Sequence, residues 1–149
     1  MRVAVAGLVA AALVAVLLLG GGPPTLEVDG APAFRIETPD GVTRATARGD
    51  ERLRLRDGRA TLSVRPLTLP DYEGDVAGLL PVWATNNLPR ARAEGRARIG
   101  GAPGYQVRSA AGTDVVLVPD EAGATRGVRL TLRGRSRALR SALRSFEFR

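Results

Sequence analysis

From residue 33 onward, apolar and polar side chains alternate with a period of two in one short stretch after another. This is the pattern of strands with one buried face. AFRIET (33–38) places Phe34 and Ile36 on one side. RLRLR (52–56) sets Leu53 and Leu55 against Arg52, Arg54 and Arg56. Asp57-Gly58 is a hairpin signal, and the chain returns through ATLSVRPL with Leu62 and Val64 apolar. RARIG (96–100), GYQVRSA (104–110), DVVLVP (114–119) and GVRLTLR (127–133) continue the pattern. Six or seven strands joined mostly by short turns predict a largely antiparallel sheet.

Two segments change period. After Asp75, a residue suited to cap a helix, Val76, Leu79, Leu80 and Trp83 fall on one helical stripe. Pro81 is expected to kink or shorten that helix, and Trp83 is expected in the core rather than at a ligand. In SRALRSALRSF, Ser136 is a good N-cap. Leu139, Ala142, Leu143 and Phe146 form its apolar stripe, with Arg137, Arg140 and Arg144 opposite. The predicted class is α+β: a mostly antiparallel sheet of about six strands flanked by two helices.

Ahead of this domain, residues 3–19 are 17 consecutive apolar residues, with no charge between Arg2 and Glu27. As a helix such a run spans ~26 Å, enough for a thin bilayer. A signal anchor or transmembrane helix is expected over 1–20, a Gly/Pro linker over 21–32 and an extracytoplasmic domain over 33–149. Arg2 before the run and Glu27 and Asp29 after it orient the domain outward. A cleaved signal, leaving a secreted protein, is the alternative. The A-x-A triplet Ala31-Pro32-Ala33 lies 12 residues beyond Leu19, and cleavage after Gly22 would leave Pro23 first.

Composition narrows the chemistry. The chain has no cysteine, histidine or lysine, and all 22 basic residues are arginine against 15 acids. It therefore has no thiol, disulfide or lipobox, no imidazole base and no Schiff-base or P-loop lysine. The expected protein is non-enzymatic, with no catalytic residue, cofactor or metal assigned. From residue 30 onward there are 21 arginines and 13 acids, a net charge of +8. Arg52, Arg54, Arg56, Arg129 and Arg133 form the candidate patch for an anionic partner. Anionic lipid, a phosphate-bearing wall polymer or an acidic envelope protein fits it. Nucleic acid does not, because the aromatic interleaving of single-strand binders is missing. The plainer account of the arginines is codon bias and a solvated face.

Other stretches are weaker. IGGAPGYQVR (99–108) has phosphate-loop glycines, but a strand follows them where a helix would be needed, and Pro103 removes one N–H. A hairpin corner is expected. DYEGD (71–75) resembles half of a calcium loop with its glycine one position early, and reads as a helix-start acid cluster. Asp71, Glu73 and Asp75 are also the residues on which an alternative function, a small carboxylate-dependent hydrolase of envelope glycans, would have to rest. Asp120 and Glu121 read as solvated loop.

The order of these features carries a resemblance. An F-x-I-x-x-P opening (Phe34, Ile36, Pro39) leads into a strand pair ending TLSVRPL. A helix, a strand with G-x-P-G-Y, further strands and a short helix ending Ser145-Phe146 follow. Residues 33–149 resemble the PsbP-like α-β-α sandwich, as found in small anchored or lipidated exported proteins of high-GC Gram-positive bacteria. The resemblance implies a binding or assembly factor of the envelope, with an anchor helix replacing the lipid. It carries over no functional residue.

Overall fold

The computed structural model describes residues 22–70 and 75–149. Among them run β1 (Thr25–Val28), β2 (Phe34–Glu37), β3 (Thr43–Arg44), β4 (Leu53–Asp57) and β5 (Ala60–Thr68). α1 (Val76–Asn87), β6 (Ala93–Ile99), β7 (Ala102–Ser109), β8 (Gly112–Leu117), β9 (Arg126–Arg133), α2 (Arg137–Arg144) and β10 (Glu147–Phe148) follow. A seven-stranded antiparallel sheet has the order β3-β4-β5-β9-β8-β7-β6. A second sheet of three strands has the order β1-β2-β10.

Side-chain alternation gives the large sheet two distinct faces. On one, Leu53 and Leu55 of β4, Leu62 and Val64 of β5, and Leu130 and Leu132 of β9 are buried. They pack with Leu139, Ala142 and Leu143 of α2 and with Leu26, Phe34 and Ile36 of the small sheet. Phe146 joins them, 5.0 Å from Phe34 between ring centroids. On the other face, Leu80 and Ala84 of α1, with Leu88 just after it, pack over Leu67, Val107, Val116 and Val118. β8 is apolar on successive residues, Val115 to Leu117, because both of its faces are covered. The α1-free half of the second face is polar, and it carries the site described below.

Several expectations meet their structure here. The hairpins at Asp57-Gly58 and at IGGAPGYQVR are both present. In the second, Gly100 (φ +56°) and Gly101 (φ +76°) make the two-residue turn between β6 and β7, a geometry that glycine adopts without steric cost. The stretch is a tight corner. Gly104, just beyond it, leaves no room for a Cβ against Leu117 and the Val116 carbonyl. Ser136 caps α2, its hydroxyl accepting the Leu139 N–H at 2.9 Å. Trp83 is partly buried against the α1 core.

The expected fold class is overturned. One sheet of about six strands is replaced by two sheets, of seven and three strands. β1 lies inside the segment expected as linker, because its Thr-Leu-Glu-Val alternation buries Leu26 against β2. β10 follows α2 directly and pairs with β2 from the opposite side. Pro81 lies inside α1 without ending it, and Thr85 donates its hydroxyl to the Pro81 carbonyl at 2.9 Å. The helix expected over 1–20 falls outside the described residues, and among the described residues no helix is long and apolar enough to cross a membrane.

Candidate anion-binding cleft

The polar half of the second face is organised by two buried acids. Asp114 on β8 faces Thr131 on β9, which donates its hydroxyl to Asp114 at 2.8 Å. Arg129 and Arg133 flank Thr131 by two residues on the same strand face, so both guanidiniums reach the same carboxylate. Arg129 donates through Nε and Nη2 at 3.0 and 2.9 Å, and Arg133 through both Nη atoms at 3.3 Å. Glu51, ahead of β4, is the second buried acid. It accepts from Arg54 at 2.8 Å, from Arg65 at 3.1 Å and from the Arg48 backbone N–H at 3.0 Å. Arg65 also reaches Asp50 at 3.1 Å.

The five arginines singled out from the sequence are thus divided by the structure. Arg129, Arg133 and Arg54 share the polar face but are held by carboxylates. Arg52 leaves the patch. It precedes β4, and its guanidinium bonds the carbonyls of Pro32 and Asp29 while stacking 5.0 Å from the Phe34 ring centroid. Burial lowers its pKa from the ordinary arginine value. Only Arg56 stays exposed with no carboxylate partner among the described residues, donating instead to the Gly58 carbonyl at 2.9 Å.

Arg56 is joined by two residues the sequence reading did not select. The segment after β3 continues along the edge of β4, the Ala45 N–H bonding the Arg54 carbonyl at 2.8 Å, and Ala45, Thr46 and Arg48 reach the same surface as Arg56. The β4–β5 turn presents Arg59 from the far end. Arg48, Arg54, Arg56 and Arg59, with Thr46 and Thr61, line a cleft of about 490 Å³. Arg48 and Arg59 are exposed, and no carboxylate pairs with either among the described residues. The cleft therefore offers three unneutralised guanidiniums, one half-neutralised neighbour and two hydroxyls, a donor-rich set suited to phosphate or carboxylate oxygens.

The carboxylate cluster weighed for catalysis is not assembled by the described residues. Asp71 and Glu73 lie outside them, and Asp75 is exposed ahead of α1, in a groove shared with Arg96, Arg98 and Asp120. The two buried acids, Asp114 and Glu51, are both occupied by guanidiniums. Among the described residues no group of three or more potential ligands could hold a metal.

No protein-family model and no curated protein matches the chain. Among solved structures, a crystal structure of a Bacteroides thetaiotaomicron protein is similar, with a TM-score of 0.50 and 9% identity. The match covers 78% of this chain and 45% of that one, so the chain spans less than half of its length. At this identity the likeness concerns the fold alone.

Proposed function

We propose that the chain is a non-enzymatic, membrane-anchored extracytoplasmic domain that captures an anionic component of the cell envelope in the arginine cleft. One observation carries the reading. Arg48, Arg56 and Arg59 converge on one concave surface with no acid partner among the described residues, while Arg54, Arg65, Arg129 and Arg133 of the same face are already paired. Arginines held only for solubility have no need to converge. The apolar run over 3–19 supports the anchor, and the resemblance to PsbP-like assembly factors supports a binding role.

The test is binding of long-chain inorganic polyphosphate to the full chain, comparing wild type with the triple variant Arg48→Gln, Arg56→Gln, Arg59→Gln. Each lost contact is worth about 1 kcal/mol at low salt, so affinity falls ~100-fold in the variant. Binding by the wild type weakens steeply with added salt. Equal affinity of the two proteins would overturn the reading.

A further inference from the structure

A second arginine-rich surface lies on the opposite side of the large sheet from the cleft. α2 buries Leu139, Ala142 and Leu143. Its outer side presents Arg137, Arg140 and Arg144, all exposed, around a shallow depression of about 460 Å³ that also includes Ser141. No acid occurs between Gly134 and Phe146. Among the described residues none of the three arginines pairs with a carboxylate, and Arg140 reaches only the Ser136 carbonyl, at 3.4 Å. The neighbouring small sheet is different. There Arg35 pairs with Glu147 at 2.6 Å, and Arg149 is shared by Asp29 at 3.0 Å and Glu27 at 3.4 Å, so the sheet adds no free cation. The positive charge on this side is thus concentrated in one helical stripe.

The route of the chain brings Pro24 to the end of that stripe. The Thr38 N–H bonds the Pro24 carbonyl at 2.7 Å, and the adjacent Glu37 N–H bonds the hydroxyl of Ser145 at 2.8 Å. Ser145 is the C-cap of α2. The residues that follow the apolar segment therefore enter the fold at the Arg144 end of the stripe.

We infer that Arg137, Arg140 and Arg144 dock α2 onto the anionic lipid headgroups of the membrane that residues 3–19 enter. The inference rests on the anchor reading above but not on the cleft. A helix lying in the headgroup plane with guanidiniums toward phosphate is favoured by anionic lipid and screened by salt. Because α2 and the cleft lie on opposite faces of the sheet, docking turns the cleft away from the bilayer.

The chain has no cysteine, so Ser141→Cys provides a unique attachment point for a polarity-sensitive fluorophore. The full chain is placed in lipid nanodiscs of phosphatidylcholine alone, or of equal parts phosphatidylcholine and phosphatidylglycerol. The expected result is a blue-shifted emission in the anionic discs only, reversed by high salt. It is lost when Arg137, Arg140 and Arg144 are all changed to Gln. The salt reversal is read on the labelled chain with its arginines intact, so it stands even if the triple variant misfolds. Incorporation into both discs with identical emission would overturn the docking and leave the anchor standing. Failure to co-elute with either disc would overturn both. A shift produced by soluble polyphosphate but not by anionic discs would assign the stripe to a polymer and overturn the lipid assignment.

Discussion

Asp114 and Thr131 stand directly opposite one another on β8 and β9, the hydroxyl donating to the carboxylate at 2.8 Å, and the acid is completely buried. Two guanidiniums close over this pair from either side. Replacing Asp114 with Ala leaves both without a counter-charge above a covered sheet. The expected loss is about 3 kcal/mol in urea denaturation, the low end for a broken buried pair because both arginines keep some access to water. Thr131→Val removes one hydrogen bond and is expected to cost about 1 kcal/mol.

Arg52 and Arg56 look equivalent in RLRLR and are expected to behave oppositely. Arg52→Gln loses two backbone carbonyl contacts and the stacking on Phe34, and lowers stability by about 2 kcal/mol. Arg56→Gln leaves stability within about 0.5 kcal/mol while weakening polyphosphate binding. Parallel denaturation and binding curves on the two variants test the division.

Much of this was legible in the chain, and the limits have physical causes. Leu53 and Leu55 were readable as core because strand alternation is local, and the turns at Gly58 and Gly100-Gly101 because glycine marks positive φ. The partner of Arg129 and Arg133 was not. It depends on the register between β8 and β9, which no residue pattern in either strand specifies. Arg52 escaped because it precedes the strand and its acceptors are backbone carbonyls, which leave no trace in side-chain identity. β10 has two residues, too few for any period to show, and its register partner Arg35 lies far back in the chain. The cleft itself needed Arg48 and Arg59, one on a loop and one in a turn, where alternation says nothing about direction.

Ser136 both caps α2 and ties it to the β4–β5 hairpin, its hydroxyl donating to Asp57 at 2.7 Å while accepting from the Leu139 N–H. Ser136→Ala breaks both bonds and is expected to destabilise by about 2 kcal/mol. Ser136→Asp keeps the cap but sets two carboxylates together. Its stability is expected to recover at low pH, where protonation removes the repulsion, and a pH series of thermal melts checks this.

Tyr105 on β7 has its pKa raised above the ordinary tyrosine value, first by burial and then by Glu94 across the β6–β7 pair. The folded chain therefore keeps this proton at a pH where the unfolded chain has lost it. Stability falls as pH rises past about 10, the unfolded value. Ultraviolet titration in a Tyr72→Phe background isolates this phenol. Glu94→Gln is expected to move the transition toward lower pH.

The three-stranded sheet imposes an order in time. β2 is flanked on one side by β1, translated just before it, and on the other by β10, which is not made until more than a hundred residues later. Phe34 waits for Phe146 over the same interval. A chain synthesised from its N-terminus thus carries an earliest hairpin with an uncovered aromatic face. That face is sealed only when the final residues arrive. Until then it is open to any apolar surface or chaperone that the growing chain meets.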